Sequence, residues 1–438
     1  MDFFERIGVQ LASGLPFVAY QKPDESNVKA ILQEDCSLHE LTDYTESGFV
    51  FAPFLEEGRA VLLKADIAIS TEDLPNAGNR RISESVPEEE NPQDKRTKHS
   101  VSIVARENKW NSPRNAEKES EQLNEGSNPP ESELNTSEKE HIFSHKKHDP
   151  SEKNPKAETT SEFGAKSHHI ALVEKAIKSI EKGDFRKVVL SRKALVALEH
   201  SPVTLFKNLL SRYDTALCYL WFHPKVGLWL GATPEILLKT RNRRLTTMSL
   251  AGTQTFEGDI HPTWGQKERE EQKLVTDYIE DALEDQVLHL ERSETETVRA
   301  GELLHLRTKL TGILKDNSLE SIIKALHPTP AVCGLPKTIT KDFIIENEGY
   351  NREYYTGFLG ELNLYDKKQR NANRANQENQ AYRSVVKTST LFVNLRCMQI
   401  KNEQAHIYVG GGITKDSNPE REWEETVAKS KTMLDILG

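Results

Sequence analysis

The most informative segment of the chain is Lys187-Val188-Val189-Leu190-Ser191-Arg192. Its central apolar residues predict a buried β-strand, which follows a predicted helix over residues 171–182 that ends at Gly183. A lysine at the start of such a strand usually reaches solvent, but a buried lysine can act as a general base. Because Glu235 follows downstream, the sequence offers both a candidate base and a candidate acid.

Regular apolar patterns extend from this segment to the end of the chain. They predict strands at 217–222, 226–230 and 391–400, and helices at 267–290 and 419–437. The polar stretch over 365–384 is typical of a loop between two strands. Near the N-terminus, the apolar runs over 49–54 and 60–63 favour strands over helices. The sequence therefore predicts a mixture of strands and helices.

The polarity of the chain is concentrated in one stretch. Of the 438 residues, 36% are hydrophobic and 29% are charged, and residues 73–166 consist mainly of Glu, Lys, Ser, Asn, Pro and Gln. Such a composition buries too little apolar surface to offset the entropy lost on ordering. We therefore predict an N-terminal part of the fold at 1–72, a disordered polar insert at 73–166, and a region that carries the chemistry at 167–438.

Charge and composition restrict the partners and the compartment. A formal charge of -10 argues against a nucleic-acid partner, although a small anionic substrate can bind where a few Lys and Arg converge. The N-terminal residues lack the features of a signal peptide, and no apolar run is long enough to span a bilayer. We therefore expect a cytoplasmic protein without a membrane partner. The cysteines are widely spaced and are expected to be reduced: Cys36, Cys218, Cys333 and Cys397.

Acidic residues recur at helical spacing in two predicted helices. Glu422 and Glu425 are three residues apart, and Lys429 lies four beyond Glu425, so the three share one helix face. Glu268 and Glu271 have the same three-residue spacing on the other helix. Solvated helix faces with ordinary ion pairs explain such spacing most simply. If the two helices face each other, Glu271 and Glu425 are suited to hold Mg2+.

Polar residues and glycines also interrupt apolar strands. Arg396 lies in the apolar run over 392–397, where it would form either a structural ion pair or a bidentate grip on a substrate carboxylate. The run Gly410-Gly411-Gly412 either lets a carboxylate approach backbone N–H groups or forms a tight turn. His305 and His327 are expected to be hydrogen-bonded structural histidines.

The order of these motifs along the chain resembles that in the chorismate-utilising enzyme family. The match covers about residues 170–438 and is carried, besides the segment at Lys187, by Gly231-Ala232-Thr233-Pro234-Glu235, Leu250-Ala251-Gly252-Thr253, Leu326-His327-Pro328-Thr329-Pro330-Ala331-Val332, the segment from Arg352 to Gly360 and the segment from Gly410 to Lys429. The resemblance implies an α+β fold in which two antiparallel β-sheets stack and helices flank them.

The resemblance also implies roles for individual residues. Lys187 matches the base that activates water, and Glu235 matches the acid that protonates the departing hydroxyl. Glu271 and Glu425 match ligands of Mg2+, with Glu422 nearby. The positions that match substrate-binding residues are Gly252, Thr253, Tyr355, Arg396, Gly410, Gly411, Gly412 and Lys429. The implied reaction is attack of water on C2 of chorismate with loss of the C4 hydroxyl, which gives isochorismate.

Other activities in the family are separated by single residues. Anthranilate synthases typically lack a lysine at the position of Lys187 and use ammonia, and Ala251 stands where aminodeoxychorismate synthases often have a nucleophilic lysine. Salicylate synthases share the base and are the nearest competitor, although the segment from His327 to Pro330 favours isochorismate. The alternative outside the enzymes is a subunit that binds chorismate or a partner without catalysing a reaction. The motifs leave open whether the product feeds menaquinone or siderophore synthesis.

Two positions depart from the family pattern. Ser249 stands where proline is usual, and Gly411 stands where alanine is common. Both changes are small, and both are compatible with the implied chemistry.

Overall fold

The computed structural model describes residues 1–55, 59–73, 162–316, 318–367 and 385–438. The described residues before and after the predicted insert form one compact unit, so the N-terminal segment and the C-terminal region build the same fold. The predicted polar insert lies outside the described residues except at its two ends, as does most of the predicted loop over 365–384. Helix α2 begins at Glu162, within the predicted insert.

The described residues form helices and strands with the following bounds. The helices are α1 (Phe3–Ala12), α2 (Glu162–Lys182), α3 (Pro202–Arg212), α4 (Gln266–Leu283), α5 (Leu319–Leu326), α6 (Lys337–Asn347) and α7 (Pro419–Leu434). The strands are β1 (Phe17–Gln21), β2 (Lys29–Leu32), β3 (Gly48–Ala52), β4 (Val61–Leu63), β5 (Ile67–Ser70), β6 (Lys187–Ala197), β7 (Leu217–His223), β8 (Gly227–Thr233), β9 (Ile236–Arg241), β10 (Arg244–Thr255), β11 (Val287–Arg292), β12 (Glu296–Ala300), β13 (Leu303–Leu314), β14 (Gly334–Leu335), β15 (Phe358–Lys367), β16 (Val385–Val393), β17 (Cys397–Lys401) and β18 (Gln404–Ile413).

The strands of the described residues pair into two antiparallel sheets. The first sheet has the order β14-β6-β18-β17-β8-β7-β1-β2-β5. The second has the order β11-β13-β10-β9-β16-β15-β3-β4, with β12 paired to β13. The N-terminal segment contributes strands to both sheets. The predicted α+β fold class with two antiparallel sheets is confirmed.

The two sheets stack on a shared apolar layer. Along β7, Leu217, Tyr219 and Trp221 face this layer, where they meet residues of the second sheet such as Phe51 and Phe392. The alternate residues of β7 face the opposite side and pack with α1 and α3. Because layers cover both faces, β7 is buried along almost its whole length rather than alternating between core and solvent.

Helices cover the outer faces of the sheets. On α4, Val275, Ile279 and Leu283 recur at helical spacing and are buried against the second sheet. Helix α7 begins where Asn418 caps the backbone N–H of Arg421 and a proline occupies the first turn, and it packs on β18 and α2. Of the helices that the structure describes, none combines the length and the apolar character needed to cross a membrane.

Two predicted elements have different bounds in the structure. The helix predicted over 267–290 ends at Leu283, because the apolar residues from Val287 onward pair with β13 as strand β11. The single strand predicted over 391–400 is wrong, since β16 ends at Val393 and β17 begins at Cys397. These two strands belong to different sheets, so the chain crosses between the sheets at 394–396. Arg396 is therefore not in a strand, and its φ angle of 46° is in the left-handed region.

A second crossing lies beside the first. The chain leaves β8 of the first sheet at Thr233 and enters β9 of the second sheet at Ile236. The N–H of Val393 donates to the carbonyl of Glu235 (2.9 Å), and the N–H of Ala232 donates to the carbonyl of Arg396 (3.1 Å). These hydrogen bonds fix the two crossings side by side and bring Glu235 close to Arg396.

A buried ion pair fastens β6 to the segment that follows α6. Nε of Arg352 donates to Oε2 of Glu348 (2.8 Å), and Nη2 donates to the carbonyl of Val189 (2.7 Å). Glu348 also accepts the N–H of Ser191 (2.7 Å). Both charged residues are buried, so the network satisfies backbone groups of β6, the strand that begins with Lys187.

Replacing Arg352 with methionine is expected to destabilise the fold. The change leaves the carboxylate of Glu348 buried without its charge partner, and the free energy of unfolding should fall by about 3–5 kcal/mol. Urea unfolding measures the change. Arg307→Met is the control, because Arg307 pairs with Glu296 at the surface (2.8 Å), and this loss should be within about 1 kcal/mol. Equal losses in the two variants would contradict the assigned importance of the buried pair.

Candidate active site

A cavity opens beside the two crossings and is bordered by both sheets and by α4 and α7. Ten of the predicted site residues line it: Glu235, Gly252, Thr253, Glu271, Tyr355, Arg396, Gly410, Gly411, Gly412 and Lys429. Of the other three, Lys187 and Glu425 each pair with a lining residue, Glu271 and Lys429 respectively. Glu422 pairs with Lys267 on the neighbouring helix α4. Thus the structure brings the predicted residues into one region, and their chemical roles remain predictions.

Glu235 is the buried acid of this region. Its side chain is buried next to the first crossing, and burial raises the pKa of its carboxyl to about 7, against the opposing effect of Lys187, Arg396 and Lys429. A carboxyl with this pKa is partly protonated near neutral pH. Glu235 is therefore able to donate a proton under conditions in which an exposed glutamate is fully ionised.

Lys187 is completely buried at the start of β6, so it is not one of the many strand lysines that reach solvent. Its Nζ lies 3.0 Å from Oε1 of Glu271, whose side chain lines the cavity. Burial acts to raise the pKa of Glu271, but Lys187, Lys267 and Lys429 outweigh it and the pKa is lowered. A Cβ at Gly412 would lie 2.3 Å from Oε1 of Glu271 and 3.1 Å from Cε of Lys187. A glycine at 412 thus makes room for this ion pair.

Arg396 is held by a histidine rather than by a carboxylate. Its Nη2 lies 2.6 Å from Nε2 of His305, and its Nη1 donates to the carbonyl of Ala300 (3.2 Å). Burial and the nearby Arg396 lower the pKa of His305 to about 3, so the ring is neutral and Nε2 accepts. The other nitrogen, Nδ1, then donates to the carbonyl of Gly252 (2.9 Å). Burial also lowers the pKa of Arg396 to about 10, which leaves the guanidinium charged at neutral pH.

The glycine run belongs to a strand. Gly410 and Gly412 are paired with β6 inside β18, so the tight turn considered from the sequence is wrong. A Cβ at Gly410 would lie 2.7 Å from the carbonyl oxygen of Leu190 and 3.0 Å from the hydroxyl of Tyr355. Nζ of Lys429 donates to the carbonyl of Gly410 (3.0 Å). The absence of a side chain at 410 therefore allows close approach of β6 and Tyr355 to β18.

Three carboxylates at one end of the region are each paired with a lysine. Glu271 pairs with Lys187 (3.0 Å), Glu422 with Lys267 (2.6 Å), and Glu425 with Lys429 (2.7 Å). Burial, together with Glu425, raises the pKa of Glu422, and Lys267 opposes that shift. The simpler prediction of solvated helix faces is wrong for Glu422, whose side chain is buried.

The donor set suits a hard divalent cation. Oε2 of Glu422 is buried and has no hydrogen-bond partner among the described residues. A Cβ at Gly411 would lie 3.4 Å from this oxygen and 3.5 Å from Oε1 of Glu425, so both carboxylates face the same point. Carboxylate oxygens are the ligands that Mg2+ prefers. In the part of the chain that the structure describes, no three acidic, histidine or cysteine side chains are already gathered as a metal-binding group.

Sequence reasoning missed two residues of this region. His305 was expected to be only structural, yet it lines the cavity and contacts Arg396. Lys267 lies one helical turn before Glu271, a spacing visible in the sequence, but only the fold brings it to Glu422 on α7. By contrast, His327 is hydrogen-bonded to the carbonyl of Pro53 (3.1 Å), as expected for a structural histidine.

Comparison with known proteins identifies the family. A family model described as chorismate binding enzyme matches residues 120–369, and a second model with the same description matches residues 382–435. The first match covers more than half of the chain. The chain therefore belongs to the chorismate-binding enzyme family.

Individual relatives agree with this assignment. The isochorismate synthase MenF of Escherichia coli is 29% identical over 277 residues, which are 61% of this chain and 59% of that protein. The isochorismate synthase EntC of E. coli is 30% identical over 224 residues, 48% of this chain and 51% of that protein. The chain thus spans about half to three-fifths of the length of these relatives. The solved structure of E. coli MenF superposes on this chain with a TM-score of 0.64 at 18% identity, and the match covers 100% of this chain and 92% of the MenF chain. The two proteins therefore share the same fold.

Replacing His305 with leucine is expected to weaken chorismate binding. The change removes the acceptor that orients the guanidinium of Arg396, and the dissociation constant for chorismate should rise about tenfold. Isothermal titration calorimetry measures this effect. His327→Leu is the matched control, because His327 is also buried and hydrogen-bonded but does not line the cavity. Equal effects of the two changes on chorismate affinity would show that His305 does not act through Arg396.

Proposed function

We propose that this chain is a Mg2+-dependent isochorismate synthase that isomerises chorismate to isochorismate. One observation carries the proposal: a fully buried lysine, Lys187, and a carboxyl whose pKa is raised to about 7, Glu235, interact within one region. A base and an acid of this kind are what addition of water and loss of a hydroxyl require. The isochorismate synthases among the relatives support the same reaction.

The charges of the cavity suit a substrate with two carboxylates. Arg396 and Lys429 line the cavity and supply positive charge, and Arg396 is kept in place by His305. Arg396 presents a planar donor group that can bind a carboxylate through two hydrogen bonds. We therefore assign these two residues to one end of chorismate.

The second carboxylate is assigned to the acidic end of the region. Glu271, Glu425 and Glu422 are the residues that would hold Mg2+, as their oxygen donors and the unpartnered oxygen of Glu422 suit that ion. When bound, Mg2+ supplies positive charge that neutralises a substrate carboxylate. The glycine at 411 leaves space at this point.

The proposed reaction uses Lys187 and Glu235 in sequence. Lys187 releases the ammonium proton of its ion pair with Glu271 to solvent and, as the free amine, accepts a proton from water as the water oxygen bonds to C2 of the ring. The ring double bonds shift and the bond between C4 and its hydroxyl oxygen breaks. Glu235 donates its proton to the departing hydroxyl, which leaves as water. One water enters and one leaves, so the product is an isomer of the substrate, and the proton taken up by Lys187 returns through solvent to Glu235 before the next turnover.

Product analysis tests the proposal. The purified chain is incubated with chorismate and Mg2+, with and without EDTA, and the products are separated by chromatography. We expect isochorismate that depends on the metal, and its loss in Lys187→Ala, since that variant has no base.

Each of the other outcomes has a different meaning. Salicylate with pyruvate would assign the chain to the salicylate synthases. Binding of chorismate without turnover would favour a silent binding subunit. Unchanged turnover in Lys187→Ala would remove Lys187 from the mechanism.

The activity is expected to fall as the pH rises through about 7. The pKa of Glu235 is raised to about 7, so the protonated form that donates is present below this pH and is lost above it. The value of kcat/KM should therefore decrease about tenfold per pH unit on the alkaline side. Initial rates over a pH series measure this profile.

Glu235→Gln serves as the control for the pH profile. Glutamine has nearly the same shape, but its amide protons are not acidic, so turnover should fall by about 10²–10⁴-fold and the alkaline decrease should disappear from any residual rate. A wild-type profile that stays flat on the alkaline side would exclude Glu235 as the acid.

A further inference from the structure

Lys267 has no part in the proposed reaction, yet it is built into the acidic end of the site. It lies on α4, one turn before Glu271, and its ammonium reaches across to Glu422 on α7 (2.6 Å). Burial acts to lower the pKa of Lys267, but Glu422, Glu425 and Glu271 outweigh it, Glu422 most strongly, and the pKa is raised. Unlike Lys429, Lys267 does not line the cavity. Its surroundings thus connect it to the carboxylates rather than to the substrate.

The charges at this end balance without a metal. Three glutamates carry three negative charges, and Lys187, Lys267 and Lys429 each pair with one of them. A buried carboxylate is costly unless it is paired, and Glu422 is almost completely buried. The ammonium of Lys267 contacts one oxygen of Glu422, while the other oxygen, Oε2, makes no hydrogen bond within the part of the chain that the structure describes. Lys267 therefore compensates Glu422 in the metal-free protein and leaves one oxygen available.

The same ammonium opposes a divalent cation. A cation bound at Oε2 of Glu422 and at Glu425 would lie close to Nζ of Lys267, whose side chain is 26% exposed, and like charges repel more strongly in such a partly buried place than in water. The other two lysines have assigned tasks, Lys187 toward water and Lys429 toward the substrate.

We propose that Lys267 is an internal counter-ion of the metal site, which stabilises the metal-free protein and lowers its affinity for Mg2+. The inference rests on the divalent-cation site of the proposed function. In this proposal the charge of Lys267 raises the dissociation constant of the site for Mg2+.

The test is the affinity of Lys267→Met for Mg2+, measured by isothermal titration calorimetry with MgCl2 and without chorismate. Removing the competing charge should lower the dissociation constant by about tenfold or more. The melting temperature of the metal-free variant should be below that of the wild type, and the rise on adding Mg2+ should be larger. Lys267→Arg retains the charge and should bind Mg2+ with nearly the wild-type affinity.

Lys273→Met is the matched control. Lys273 lies on the same helix and pairs with Asp277, but it is exposed and away from the three carboxylates. Its loss removes the same charge from the chain and should leave the Mg2+ affinity within about twofold. Lys267→Gln provides a second neutral variant if the methionine variant does not fold.

The outcomes separate this inference from the proposed function. Unchanged or weaker Mg2+ binding in the neutral Lys267 variants would overturn the inference, even if the wild type still forms isochorismate. Absence of Mg2+ binding in all variants would overturn both the inference and the assigned metal site. Tighter binding in the neutral variants, together with no isochorismate from the wild type, would support the inference and reject the proposed activity.

Discussion

The double crossing between the two sheets is the constraint on which the rest of the site depends. The chain passes from one sheet to the other at 234–235 and again at 394–396, and backbone hydrogen bonds hold the two passages together. Glu235 and Arg396 lie in these passages, where Glu235 is buried and Arg396 is partly buried. Burial then determines their chemistry, since it raises the pKa of Glu235 to about 7 and requires an acceptor for Arg396, which His305 provides.

Charges this close together are stable only if they compensate each other. Lysines 187, 267 and 429 each pair with one of the three carboxylates of the acidic end. Among the oxygens of these carboxylates in the described residues, Oε2 of Glu422 is buried without a hydrogen-bond donor. The proposed substrate, with two carboxylates, and the proposed divalent cation carry opposite charges of equal size. Entry of both leaves the net charge of the site unchanged, which is favourable where solvent is largely excluded.

The fold class was predictable from the sequence, and so was the set of residues that the structure brings together around the cavity, whose roles stay predictions. Helical spacing placed Glu422, Glu425 and Lys429 on one face, and they lie together at the border of the cavity. The prediction of a single strand over 391–400 was wrong because the residues on both sides of the crossing at 394–396 are apolar, although they belong to different sheets. The predicted helix from residue 267 was too long because pairing with β13 overrides the local pattern after Leu283. The spacing of apolar residues indicates which positions are buried, but it does not indicate which strand or helix packs against them.

The sequence by itself determined the apolar periodicity of the elements, the motif order that identifies the family, and the residue types at the site. Only the tertiary structure decided that Lys187 is buried against Glu271, that Lys267 reaches Glu422 from another helix, and that His305 contacts Arg396. Each of these contacts joins residues on different elements. Their distances, and therefore their charges and pKa values, depend on how the sheets and helices pack, which local patterns do not encode.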